Sequence, residues 1–513
     1  MASSTSSLAA DAERARSSRW YVEPEFALLV LLALSLYFAR LTTLTLRGEE
    51  SRRAQVAQEM LQNGDWIIPR QQGELFPSRP PLGSWVMAAA AVVRGNLDLA
   101  AVRIPSALAT VLTVILVYAY SRLFLTRVGA FAAGAAYASM FEVLHLGRLG
   151  ESEAVFTLLL ATALLVWHAG YHQGWQSSRY WITGYAFAGL ATLTKGPQGF
   201  IYFFAAVAAF LILRRDWRTL FSPSHGGGLV TFAIVYGLWQ VPFFLQLGIP
   251  GIEAYLSFEM SQRFSDRTVA TVLGHLAVFP WNMVGSLLPG SLCLLAFARP
   301  SVRRNLGSAG PAVWFLVAAI AITFPTVWFP PGGRTRYFMP MYPLFAVLIG
   351  VAIERWNATR GENRWSNRRL LGTVFAAACL TGAIYIGPVI NNRAKVSVQI
   401  EPEVAAVKEM LPEGEPFVSF GILHHKFTFV YRDLIPPLPW PQASDDLPNE
   451  ITYFCFHKYD DLPIQLPFDW EPIAVVNCDR NRSEKPFDRV IVGRRLKAGE
   501  VASRPSSSDG QRN

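Results

Sequence analysis

Eleven stretches of this chain are apolar over lengths that span, or nearly span, a lipid bilayer, and that repetition restricts the fold more than any other feature. They lie near 26–46, 103–124, 128–146, 152–170, 179–194, 197–214, 228–247, 281–298, 311–329, 336–354 and 370–391. Inside lipid every backbone N–H and C=O needs an internal partner, so such segments fold as helices. The expected architecture is a polytopic α-helical membrane protein with about 11 transmembrane helices and a small C-terminal α/β domain. Of the 513 residues 52% are hydrophobic and 16% charged, and the mean hydropathy is +0.27, which excludes a large soluble protein. A net charge of +9 would suit a nucleic-acid partner if it formed one patch. Instead the arginines sit in short turns: Arg214, Arg215 and Arg218; Arg299, Arg303 and Arg304; Arg355, Arg360, Arg364, Arg368 and Arg369. They read as cytoplasmic topology signals, with no nucleic acid implied.

Counting from those turns places residues 248–280, 330–335 and everything after 392 on the outer side, together with Glu151 to Glu153 and Lys195 to Pro197. Residues 1–25, with Arg14, Arg16 and Arg19, read as a cytoplasmic tail leading into an uncleaved signal anchor. Pro80 to Val93 is apolar but short for a span, so residues 47–102 are expected to form one large outer loop of a membrane domain covering 26–391. Within it Glu50 to Gln62 has helical periodicity and ends at Asn63-Gly64, a left-handed cap. Residues 392–500 have the composition of a small outer-face domain, with a helix at Glu403–Met410 and strands at Phe417–Phe420, Ile451–Phe456, Ile473–Val476 and Arg489–Val492. The Ser-rich, charged residues 501–513 read as a disordered tail. Cys293 and Cys379 lie in apolar segments, and Cys455 and Cys478 in the C-terminal domain read as buried free thiols or, in an oxidising compartment, a pair.

The ionisable groups assigned to the outer side include the carboxylates Glu49, Glu50, Glu151, Glu153 and Glu259 and the cations Arg52, Arg53, Arg79, Lys195, Arg263, Arg334 and Arg336. A carboxylate at a low-dielectric boundary can act as a general base, and Glu49 or Glu153 fits. A phosphate leaving group needs fixed cations, and Arg79, Lys195, Arg334 and Arg336 fit. Singly, each signal has an ordinary reading as a polar helix start, a snorkelling lysine or an interfacial anchor. Their convergence on one face is what favours chemistry. No His or Cys spacing suggests a metal, and His275, His424 and His425 receive no ligand assignment.

Three runs carry a resemblance: Gly48 to Arg53; Asn63-Gly64-Asp65-Trp66-Ile67-Ile68-Pro69; and Arg79-Pro80-Pro81-Leu82-Gly83-Ser84-Trp85. They resemble the first outer loop of the polyprenyl-phosphate-sugar-dependent membrane glycosyltransferases, which include protein O-mannosyltransferases and the transferases that add 4-amino-4-deoxy-L-arabinose to lipid A. The likeness continues through Ala101 to Pro105, the Glu153 region, Leu193-Thr194-Lys195-Gly196-Pro197 and Arg336-Tyr337-Phe338-Met339-Pro340. It implies a C-type membrane glycosyltransferase-like fold, an outer-face (periplasmic) active site in the plasma (inner) membrane, and inverting transfer from a lipid-phosphate sugar to a lipid or glycan acceptor. By position, Glu49 matches the catalytic acid of the first loop, Glu50 the Glu after it, and Glu153 the second acid. Arg79 stands where a Lys is common in the lipid A branch, Lys195 matches the Lys before Gly-Pro, and Arg336 and Tyr337 match the late Arg-Tyr pair.

Two departures stand out: Glu replaces the usual Asp at 49 and 153, and Arg53 replaces a common aromatic. An extra methylene shifts a carboxylate by about 1 Å, enough to cost about 10²-fold in a positioned reaction. The expected catalytic set is Glu49, Glu50 and Glu153, and the expected substrate-binding set is Arg52, Arg79, Lys195, Arg263, Arg334, Arg336 and Tyr337. The displacement requires no redox cofactor, and a divalent metal is left open without being required. Three other readings fit the same residues: a protein O-glycosyltransferase, a transporter or flippase of lipid-linked sugars, and an inactive relative.

Overall fold

The computed structural model describes residues 19–263, 268–458, 464–479 and 488–496, with the side chains of 256 and 258–263 left undescribed. The chain divides into two compact units: residues up to Leu41 with Pro77–Val389, and Thr42–Phe76 with the chain from Ile390 onward.

The first unit is helical. Among the described residues six helices are long and apolar enough to cross a membrane, or seven if the bent pair Val269–Ser286 and Gly290–Ala298 is one span. The protein is thus an integral membrane protein by length and composition of its helices. Thr335–Ala358 is the most buried of the six, whereas only a small share of Trp217–Tyr255 and Asn367–Lys395 is fully buried. Shorter apolar helices run over Pro24–Phe38, Leu82–Arg94 and Gln198–Leu213. The expected segments near 128–146 and 179–194 are helical over Arg127–Ser139 and Ser177–Lys195, but neither is among the six.

Helix ends follow local chemistry. Asp98 accepts the Ala101 N–H at 2.7 Å to start Leu99–Ser121, and Thr126 accepts that of Gly129 at 3.2 Å to start Arg127–Ser139. Glu23, buried at the start of Pro24–Phe38, bonds Arg122 at 2.8 and 2.9 Å and accepts the Tyr118 hydroxyl at 2.5 Å. The start of Pro24–Phe38 is thereby tied to the end of Leu99–Ser121.

Two expected spans are shorter or broken. The segment near 26–46 stops at Phe38, because Arg148 donates to the carbonyls of Leu36, at 2.7 Å, and Ala39, while Arg103 donates to that of Leu41 at 2.8 Å. Buried guanidinium groups there replace the next helical turn as partners for those carbonyls. The segment near 281–298 is a corner: Val269–Ser286 and the 3-10 helix Gly290–Ala298 meet at 109° around Pro289, which has no N–H to donate. Facing it, the segment near 128–146 breaks at Met140, and the Phe141 N–H released by the break donates to Leu288 O at 3.0 Å. Each irregularity satisfies the other.

In the second unit Glu50–Asn63 is a helix closed by Gly64 at φ 71°, as the Asn-Gly pair predicts. It packs on the helix His425–Tyr431, with Gln58 Nε2 donating to Arg432 O at 2.9 Å. Its polar side chains are buried because they are used. Glu59 accepts the Gln72 and Gly73 N–H groups at 2.5 and 2.9 Å, and Gln72 in turn bonds Ser419, Leu423 and Ile435. A five-stranded sheet follows in the order Pro437–Leu438, Phe417–Phe420, Tyr453–Lys458, Asp488–Arg495, Trp470–Asp479, parallel over its first three strands and antiparallel over its last three. Side chains alternate across it: Cys455 joins Val404, Phe427 and Val492 on one face, and Phe454 and Phe456 join Phe420 on the other. The expected helix spans Glu401–Met410, and the helix His425–Tyr431 and strand Pro437–Leu438 are additions to the expected elements. Cys455 and Cys478 are buried free thiols.

Candidate functional site

Within the helical unit an ionic cluster assembles from three helix ends. Glu153 lies in the first turn of Ser152–His172 with Glu151 at its N-cap, and Lys195 closes Ser177–Lys195. Acids at a helix N-terminus and a base at a C-terminus are each favoured by the backbone dipole. Arg336 comes from the 3-10 helix Thr335–Met341. Its Nε and Nη2 donate to Glu153 Oε1 at 2.9 and 2.7 Å, and Nη2 also reaches Glu151. Lys195 Nζ donates to the same Glu153 oxygen at 3.0 Å and lies 5.2 Å from the Tyr337 ring centre and 5.7 Å from that of Phe156. One buried carboxylate therefore holds two cations.

Beside this cluster is a cleft of about 110 Å³. Arg79, Lys195, Gln198 and Tyr337 line it together with Ile201, Tyr202, Val327 and Pro330. Gln198 Nε2 donates to the Tyr337 carbonyl at 2.9 Å, joining the start of Gln198–Leu213 to the Arg336 segment. Glu151 and Glu153 offset Lys195 and Arg336, so Arg79 makes the group of five cationic. A cleft lined by both cations and apolar side chains suits an amphiphilic anion. The turn after Lys195 depends on Gly196, at φ 84°, where a Cβ would lie 2.3 Å from the Tyr255 hydroxyl.

Arg334 lines a different cavity, with Glu142, His145, His275 and Arg336, and Thr335 Oγ1 donates to Glu142 at 2.9 Å. The side chains of Glu259 and Arg263 lie outside the described residues. Glu151 belongs to the inventory of outer acids, but its role as second acceptor for Arg336 carries no sequence signal. Nor do the contributions of Gln198, Tyr202 and Tyr255.

In the second unit the adjacent acids behave differently. The Glu49 side chain is 38% exposed, and both of its oxygens accept from Arg52 Nη1, at 3.0 and 3.1 Å. Arg53 Nη2 stands 4.0 Å away, and the Arg52 and Arg53 guanidiniums lie over the Phe76 ring at 5.5 and 5.9 Å. Glu50 is fully buried and accepts the Arg47 N–H at 3.0 Å, which fixes the turn entering the helix. The same unit holds a histidine cluster: His424 lies 4.4 Å from His425 and 5.3 Å from His457, ring centre to ring centre, and Ser51 Oγ is 2.6 Å from His425 Nδ1. Burial, reinforced for His424 and His425 by Arg52 and Lys426, pushes His424 down to about 3, His425 well below its ordinary value and His457 to about 4. Among the described residues no group of three or more His, Cys, Asp or Glu side chains is placed to hold a metal ion.

Residues 78–239 match the family model described as dolichyl-phosphate-mannose-protein mannosyltransferase. A curated relative, the undecaprenyl phosphate-alpha-4-amino-4-deoxy-L-arabinose arabinosyl transferase of Edwardsiella ictaluri, is 27% identical over 347 residues, covering 66% of this chain and 60% of the relative. The resemblance to the polyprenyl-phosphate-sugar glycosyltransferases holds. A second such transferase, from Pseudomonas fluorescens, is also 27% identical, over 70% of this chain and 61% of the relative. The aligned part spans about 60% of the length of these curated relatives. The fold is similar to that of ArnT from Cupriavidus metallidurans bound to undecaprenyl phosphate, with a TM-score of 0.70 at 18% identity over 91% of this chain and 97% of that one. It is also similar to the oligosaccharyltransferase AglB of Archaeoglobus fulgidus, with a TM-score of 0.52 at 13% identity over 86% of this chain and 70% of that one.

Proposed function

We propose that this protein is a membrane glycosyltransferase that moves a sugar from a polyprenyl-phosphate carrier to a lipid or glycan acceptor. The cleft beside the Glu153–Lys195–Arg336 cluster carries this reading, because its lining combines cations with apolar side chains, as the two halves of a lipid phosphate require. Arg79 and Lys195 bind the phosphate as it leaves, with Tyr337 beside them. Arg336 and Glu153 act as positioning residues for Lys195. Glu49 deprotonates or orients the acceptor hydroxyl, Arg52 sets the direction of its carboxylate, and Glu50 holds the turn that presents it. Arg263 and Arg334 are further candidates for contact with donor or acceptor.

The reading extends to about eleven membrane crossings in the plasma (inner) membrane, made of the six long apolar helices, the bent pair, Pro24–Phe38, Arg127–Ser139, Ser177–Lys195 and Gln198–Leu213. The first outer loop and the domain after 392 face the periplasm. The match to a protein mannosyltransferase model favours a second reading in which the acceptor is a Ser or Thr hydroxyl.

Purified protein in lipid nanodiscs, given polyprenyl-phosphate sugars with lipid A or with a Ser/Thr peptide, tests both. Sugar transfer to one acceptor, lost in Glu49→Gln and reduced in Glu153→Gln, is expected. Transfer that is unchanged in both variants overturns the assigned roles, and no transfer from any lipid donor overturns the enzymatic reading.

A further inference from the structure

A second cavity, of about 470 Å³, lies in the helical unit and shares no lining residue with the cleft described above. Its floor is made of small side chains on Arg127–Ser139, Gly290–Ala298 and Tyr342–Ala358, among them Ala132, Ala136, Gly290 and Ala352. Gly290 permits this packing, because a Cβ there would come within 2.9 Å of Ile349. The fourth wall is Leu370 to Ala378 of the helix Asn367–Ile384, a rise of about 12 Å at 1.5 Å per residue. This is a groove of acyl-chain dimensions.

One end of the groove is chemically distinct. Trp356, Trp365 and Arg299 line it, and among the described residues that line the cavity there is no carboxylate. Arg360 stacks on both tryptophans, 4.6 Å from the centre of Trp356 and 5.4 Å from that of Trp365, and Arg369 stacks on Trp365 at 4.8 Å. Tryptophans suit the headgroup level, and arginines just beyond an apolar groove select an anionic headgroup over a zwitterionic one.

We propose that this groove binds an anionic phospholipid of the surrounding bilayer, with an acyl chain between Gly290–Ala298 and Asn367–Ile384. Its phosphate then meets Arg299, Arg360 and Arg369. The charge complementarity singles out this occupant, since an uncharged lipid or an apolar peptide would leave the three arginines without a role in binding.

The test measures lipid retained by the full-length protein after detergent exchange, by native mass spectrometry, in an equimolar mixture of phosphatidylglycerol and phosphatidylcholine. Preferential retention of phosphatidylglycerol is expected. It should fall about fivefold in Arg299→Gln, at about 1 kcal/mol per arginine, and disappear in Ala377→Trp, which fills the mouth from an exposed position. Arg218→Gln, an exposed arginine away from the groove, removes the same charge and should leave retention unchanged. Equal retention of the two lipids, equal losses in Arg299→Gln and Arg218→Gln, or full retention in Ala377→Trp each overturns the proposal.

Discussion

Lys195 Nζ stands 3.0 Å from Glu153 Oε1, and both side chains are buried, at 5% and 3% exposure. Removing one partner of such a pair leaves the other charge desolvated and uncompensated. Glu153→Gln should therefore lower stability by about 3 kcal/mol as well as reduce transfer, read by thermal unfolding in detergent alongside the sugar-transfer assay. A loss of transfer with unchanged stability would show that Glu153 acts on substrate rather than through Lys195.

Arg336 serves Glu153 and Glu151 together through its planar guanidinium. An ammonium is a point charge and cannot reproduce that fork. Arg336→Lys should retain the fold and lose transfer by about tenfold or more, roughly 1.4 kcal/mol of transition-state stabilisation. Initial rates against donor concentration check this.

Gly196 combines a left-handed φ of 84° with close approach to Tyr255. Gly196→Ala meets both the backbone strain, about 1–3 kcal/mol, and the Tyr255 hydroxyl. In Gly196→Ala/Tyr255→Phe the nearest ring atom would be the former phenol carbon, 3.6 Å away. The double variant should thus unfold at a higher temperature than Gly196→Ala while staying below the parent. No recovery would mean that backbone strain alone sets the cost.

Glu49 and Glu50 should separate by phenotype. Glu49→Gln removes an exposed carboxylate whose partner is Arg52, so transfer is expected to vanish with little change in unfolding temperature. Glu50→Gln weakens a buried acceptor of the Arg47 N–H and should destabilise by about 1–3 kcal/mol. Identical behaviour of the two variants would contradict this division.

His424, His425 and His457 are held neutral by burial, with folded-state values below the ordinary 6.5. Below that ordinary value the unfolded chain takes up protons that the folded chain refuses, so stability falls as pH falls. The contribution is complete above about pH 6.5 and is lost progressively toward about 4 for His457 and about 3 for His424. At about pH 5 the loss from His424 alone is roughly 2 kcal/mol. Unfolding temperatures measured between about pH 8 and pH 5 should decline, and less steeply in His424→Gln.

Local signals suffice where local chemistry decides. Asn63-Gly64 ends a helix because the backbone needs φ > 0 there, and alternation in Phe454-Cys455-Phe456 sorts side chains onto two faces of a sheet. Hydropathy alone did not show where the helices in the segments near 26–46 and 281–298 end or bend. Whether an apolar stretch continues as a helix depends on partners such as Arg148 for the Leu36 and Ala39 carbonyls, and those lie far along the chain.

The amino-acid sequence by itself determined that this chain is a bundle of apolar helices with a small α/β appendage, since backbone satisfaction in lipid and side-chain periodicity are properties of contiguous residues. It also named Glu153, Lys195 and Arg336 as ionisable groups at helix ends. Only the tertiary structure decided that one Glu153 oxygen receives Lys195 from 42 residues away and Arg336 from 183. It likewise decided that residues 42–76 pack with the C-terminal sheet, Gln72 bonding Ser419 from 347 residues away in sequence. The physical reason is the same for both: ion pairs and buried hydrogen bonds act over about 3 Å, and only the packing of distant elements brings their partners to that distance.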